Sequence, residues 1–143
     1  MHRTELPGPV LFALALAACD SPATTRHEEA ARDAAEQWLV QSDAGDHGDA
    51  WDAGTPEFKV GTRKEDWETR QAILYQQLGM PDHRDLVAAK FTTSVPGFER
   101  ADYVLIQYRR PMHSGRTLRE TLVMKRSANG WRIASYRLEP VQR

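Results

Sequence analysis

The chain has 143 residues and a net charge of −1, from 19 Lys and Arg against 20 Asp and Glu, and its single cysteine is Cys19. That length suits one domain built on a single core. The balanced charge excludes the basic tail that nucleic acid or an anionic bilayer demands, and one lone thiol excludes an internal disulfide.

The first element is an apolar run from Val10 to Ala18. It is too short for a permanent membrane span, which takes about 20 apolar residues, and it fits the apolar region of a secretory signal. Arg3 is the one firm positive charge ahead of it, and Glu5 opposes it. The run ends in Leu16-Ala17-Ala18-Cys19, which resembles a bacterial lipobox. The resemblance implies cleavage before Cys19, diacylglycerol attachment to its sulfur and acylation of the new amine. Lipidation would consume the only thiol and remove redox and thiol chemistry. Asp20 is similar to the residue that retains a lipoprotein at the outer face of the inner membrane. The expected location is therefore the bacterial cell envelope, lipid-anchored and facing the periplasm. Residues 1–18 read as signal peptide, 19–25 (with Pro22) as a lipidated tether, and 26–143 as an α+β domain.

From Arg26 to Asp43, Ala31, Ala34, Ala35, Trp38 and Ser42 recur at spacings of three and four, the period of an amphipathic helix. Thr24 or Thr25 is the expected cap, with Glu28 completing a capping box from Thr25. Asp43-Ala44-Gly45-Asp46 stops the helix. A short second helix is expected over His47 to Ala53, and Gly54 with Thr55-Pro56 breaks the chain before a new turn at Phe58. A third helix, capped by Thr62, carries an inner stripe of Trp67, Arg70, Leu74 and Leu78, with Ile73 beside it. It ends at Gly79-Met80-Pro81.

After residue 82 the period changes from 3.6 to 2. Asp85 to Ser94 reads as a strand with Val87, Ala89, Phe91 and Thr93 on one face. Ala101 to Arg110 follows, with Val104, Ile106 and Tyr108 opposite Tyr103 and Leu105. Arg116 to Arg126 shows Leu118, Leu122 and Met124 on its apolar face. Asn129-Gly130 is a hairpin signal. In the last strand, Trp131 to Leu138, the apolar phase slips from Ile133 to Tyr136, which predicts a bulge near Ala134-Ser135. Helices first and hairpin-linked strands after them give an α+β fold, three N-terminal helices packed on a curled four-stranded antiparallel sheet.

Several segments resemble the domain-of-unknown-function 4019 family. They are Ala34-Ala35-Glu36-Gln37-Trp38-Leu39, Asp43-Ala44-Gly45-Asp46, Trp51, Phe91 to Gly97, Tyr103 to Tyr108, Glu120 to Met124, and Asn129 to Tyr136. The resemblance spans roughly Glu28 to Leu138. It implies a small envelope protein with a cystatin-like or nuclear-transport-factor-2-like cone. It implies no activity and transfers no catalytic residue.

No two of the histidines, His2, His27, His47, His83 and His113, stand at a metal-ligand spacing, and phosphate loops and nucleophile elbows are missing, so no cofactor or metal is expected. The Arg-rich 110s and C-terminus, with Arg109, Arg110, Arg116, Arg119, Arg126, Arg132, Arg137 and Arg143, read as solvated faces, with an anion-binding sheet surface as the alternative. Glu120 is the anomaly. It shares its phase with Leu118, Leu122 and Met124, so alternation points it at the helices, where a carboxylate must be paired or raised in pKa. An ion pair with a helix arginine such as Arg70 is one reading. A pocket acid or base, with Tyr103, Tyr108 and Trp131 lining the same cavity, is the other. The first reading gives a non-enzymatic module that binds a protein or a small ligand, or pairs with itself through exposed Leu105 and Val123. The second gives an isomerase- or dehydratase-like enzyme built on Glu120, a fold-level analogy.

Overall fold

A computed structural model describes residues 21–141. Cys19, Asp20 and the lipobox lie outside the described residues, as do the last two of the chain. Among the described residues no helix is long and apolar enough to cross a membrane.

Helix α1 runs from Pro22 to Asp43. It begins within the stretch expected to be tether, because Ser21 rather than Thr24 or Thr25 caps it. The Ser21 Oγ accepts the Thr24 amide proton at 3.1 Å, and Pro22 at the first helical position has its φ preset for a helix. With no capping box to complete, Glu28 does something else. Its Oε1 accepts the amide of Phe91 at 3.0 Å, across the edge of the sheet. The helix buries Ala31, Ala35, Trp38, Leu39 and Ser42; against the expected stripe, Leu39 is added and Ala34 is only partly buried.

Helix α2 is His47–Asp52, α3 is Pro56–Val60 and α4 is Lys64–Leu78. Among the described residues there are thus four helical segments where three were expected. Thr55 accepts from the Phe58 amide and Pro56 opens the turn, which is enough to form α3 from a segment read as a break. Arg63, not Thr62, stands at the cap position of α4. The inward face of α4 is also rotated from the expected one. Trp67 and Gln71 are buried and Tyr75 is half-buried, while Arg70 and Ile73 are exposed.

The four strands are β1 (Asp85–Thr92), β2 (Tyr103–Pro111), β3 (Thr117–Ser127) and β4 (Gly130–Pro140). They form one antiparallel sheet in chain order. A bulge lies between Leu86 and Ala88, so Leu86 pairs with Tyr108 while Ala89 pairs with Ile106. Val87 is therefore displaced to solvent instead of sharing the inner face with Ala89 and Phe91. The expected bulge in β4 is present: Val123 faces Ser135 and Met124 faces Ile133, leaving Ala134 extra.

The helices cover one face of the sheet, and α1 packs across all four strands. The core joins Ala31, Ala35, Trp38, Leu39 and Trp67 to Val104, Ile106, Leu122, Met124 and Ile133. Trp38 is its hub: its ring meets Phe58, Trp67 and Tyr136, and its indole N–H donates to the Ala50 carbonyl at 2.9 Å. Part of the other sheet face is covered too. The β1–β2 loop lays Val95, Phe98 and Ala101 over Tyr103, Leu105, Val123 and Ala134. Val123 is 8 % exposed. The exposed apolar patch expected at Leu105 and Val123 as a dimer surface is thus occupied by the chain's own loop.

Candidate functional site

Glu120 points inward, as its phase required, and is 0 % exposed. Its neighbours come from two strands and a loop. Arg84, in the turn before β1, donates from Nε to Oε1 at 2.6 Å. Tyr136 of β4 donates its hydroxyl to Oε2 at 2.5 Å. Arg110 of β2 places Nη1 3.4 Å from Oε2. Both oxygens are therefore engaged, as a buried carboxylate requires.

The cluster extends to the helix layer through Arg84. Its Nη1 and Nη2 donate to Oδ2 and Oδ1 of Asp43, at 2.6 and 2.9 Å. Tyr75 of α4 donates its hydroxyl to the same Oδ1 at 2.6 Å, and the Arg110 guanidinium lies 5.2 Å from the centre of the Tyr75 ring. Burial pushes the Asp43 carboxyl up, but the bonds from Arg84 and Tyr75 outweigh it and hold it below the ordinary carboxylate range. Burial and the adjacent Glu120 raise the Tyr136 phenol well above its usual value, so it stays a proton donor to the carboxylate. Two guanidiniums face two carboxylates, and the end of α1, the end of α4, the turn before β1 and the strands β2, β3 and β4 are tied together.

Sequence reasoning placed Glu120 correctly and chose the wrong cation. Arg70 is exposed on α4. The partners are Arg84 and Arg110, and Arg110, read as part of a solvated face, is 1 % exposed. The signal for Arg110 was present: it continues the alternation of Val104, Ile106 and Tyr108 by one more step. Arg84 was hidden by the bulge at Val87, which breaks the phase linking it to Ala89.

Glu120, Tyr103, Tyr108 and Trp131 do not share a cavity, and Tyr103 packs on the other sheet face under the β1–β2 loop. Trp131 lines a groove of about 380 Å³ between α1 and β4. Trp38, Met124 and Ile133 contribute to its lining, together with Gln37, Gln41 and Asp46. Tyr108 lines a separate cleft of about 220 Å³ with Arg32, Glu36, Leu39 and Leu86. The Tyr108 hydroxyl is buried and has no hydrogen-bond partner among the described residues. Arg84 is the one member of the ion-pair cluster that reaches this cleft, and Glu120 lines neither cavity. No group of three metal-ligating side chains occurs among the described residues.

Neither a curated protein nor a solved structure matches the chain. Residues 34–136, from the middle of α1 into β4, match the model of a family described as protein of unknown function (DUF4019), and the chain belongs to that family.

Proposed function

We propose that this protein is a lipid-anchored domain of the bacterial envelope, held through Cys19, that acts as a non-catalytic binding module on a cystatin-like or nuclear-transport-factor-2-like cone. The observation that carries the non-catalytic part is the closure of Glu120. A general base needs a free lone pair within reach of a substrate proton. Here both carboxylate oxygens accept from Arg84, Arg110 and Tyr136, in a place that solvent does not reach.

The groove between α1 and β4 is the surface best built for binding. Its floor is aromatic and apolar, and its rim carries the amides of Gln37 and Gln41, the usual composition of a ligand site. Asp20 supports retention at the inner membrane. With α1 starting at Pro22, only two residues separate Cys19 from the fold, so the domain would sit against the membrane that holds it.

Two experiments test the reading separately. Cys19→Ser should release the protein from the membrane fraction and block processing; equal membrane retention would remove the anchor. Mild crosslinking in membranes should capture a partner whose yield falls in Ala44→Trp, which fills the mouth of the groove, and holds in Arg63→Gln. Equal yield in both variants would move the binding surface elsewhere.

A further inference from the structure

The outer face of the sheet is divided. One half lies under the β1–β2 loop. The other half is open and charged. Its outward positions pair across the four strands as Asp85, Arg109, Arg119 and Glu139. Arg109 and Arg119 are directly opposite each other and both exposed, a like-charge pairing that disfavours the sheet. Neither flanking carboxylate forms an ion pair with them. Asp85 meets His83 Nε2 at 3.3 Å, and Glu139 meets Arg137 Nη1 at 3.5 Å. Neither Arg109 nor Arg119 has an ion pair among the described residues, and the same holds for Arg116 in the β2–β3 turn. Arg109 and Arg116 also line a concavity of about 540 Å³ at this end of the sheet, with Ser114 and Thr117 beside them.

We propose that this surface, distinct from the α1–β4 groove, docks an acidic polypeptide segment that presents neighbouring carboxylates to Arg109 and Arg119. Guanidiniums bind carboxylates through paired N–H bonds. Directly opposite strand residues have Cβ atoms about 4.5–5.5 Å apart, and the Cβ atoms of residues at positions i and i+4 of a helix are about 5–6 Å apart. An acidic helix face therefore matches the arginine pair. The order negative, positive, positive, negative argues against other occupants. Dense polyanions such as polyphosphate would meet Asp85 and Glu139 as well. A second copy of the same face, laid in register, would set like charge on like charge. The bilayer is remote: the start of α1 packs at the Phe91 and Trp131 end of the sheet, through Glu28 and His27. Arg109 and Arg119 lie at the other end.

The test uses the full chain in non-ionic detergent and a fluorescent alanine-rich peptide carrying Glu at i and i+4. Anisotropy should show binding that weakens with added salt. Affinity should fall about tenfold in R109Q/R119Q, the loss of roughly two exposed ion pairs, and hold in R63Q. The double variant also removes the like-charge contact, so its urea midpoint should equal or exceed that of the parent, separating lost docking from lost folding. The proposal is overturned if the parent does not bind the peptide, or if R63Q weakens binding as much. It is also overturned if inorganic tripolyphosphate or phosphatidylglycerol vesicles bind more tightly than the peptide with the same dependence on Arg109 and Arg119.

Discussion

Single charged residues carry much of the information in this chain, and their burial decides what each does. Glu120 stands between Arg84 and Arg110, and Arg110 has no second carboxylate within bonding distance among the described residues. Removing Glu120 leaves a buried guanidinium uncompensated. Glu120→Ala should therefore lower stability by about 3–5 kcal/mol, measured by urea denaturation, and R110M/E120L should recover most of that loss, because apolar replacement of a buried pair is often neutral or better. A loss below 1 kcal/mol for the single variant would mean that the pair is not buried as described. Glu57 is the clearest acid-sensitive site. Its Oε1 accepts from Lys125 Nζ at 2.5 Å, which depresses its carboxyl to about 2. A depressed carboxyl stabilises the fold above its unfolded pKa, and the contribution is lost as pH falls through the folded value. Asp43, also depressed, adds to the loss in the same direction. The urea midpoint should thus drop between about pH 4.5 and 2, and Glu57→Gln should flatten part of that drop.

At the scale of elements, periodicity located every strand and all but one of the helices, and failed where the backbone departed from its period. The stripe of α4 is one case. Leu74 and Leu78 fit either face, and the choice of Arg70 and Ile73 over Gln71 and Tyr75 was wrong because Tyr75 gains a carboxylate, Asp43, that lies on another helix. The β1 bulge is another: it sends Val87 outward and carries Arg84 into the cluster. The end of α4 is a position where local chemistry alone suffices. Gly79 has φ 74° and ψ −175°, a region essentially restricted to glycine. A Cβ there would meet no neighbour, so backbone strain is the whole effect. Gly79→Ala should cost about 1–3 kcal/mol, read from the shift in thermal or urea midpoint. An unchanged midpoint would show that the turn relaxes. The sheet edges are guarded as well. The Thr55 amide donates to the Ile133 carbonyl of β4 at 2.9 Å, and Arg132 bonds the Ala53 and Gly54 carbonyls from the same strand. On β1 the carboxylate of Glu28 takes the Phe91 amide. Both edges are thus partly closed to strand addition.

The whole molecule behaves as one unit because helices and sheet share a core and a charge cluster. Trp38, Trp67 and Tyr136 meet at the centre, and Asp43, Arg84 and Glu120 link α1 to the sheet at one end. Unfolding followed by tryptophan fluorescence and by far-ultraviolet circular dichroism should therefore give coincident transitions. Separate midpoints would mean that the helix layer melts from the sheet. The sequence by itself determined the α+β order, the phase of β2, β3 and β4, the β4 bulge and the inward direction of Glu120. All of these follow from spacing along one segment, where side-chain direction repeats with the local backbone period. The tertiary structure alone decided which cation meets Glu120, which face α4 buries, and that the cover over Leu105 and Val123 is the chain's own loop. It also set Arg109 against Arg119 with no ion pair to either among the described residues. Those outcomes join residues tens of positions apart, and an ion pair of that kind depends on where two backbones come to rest, which no spacing within either segment encodes.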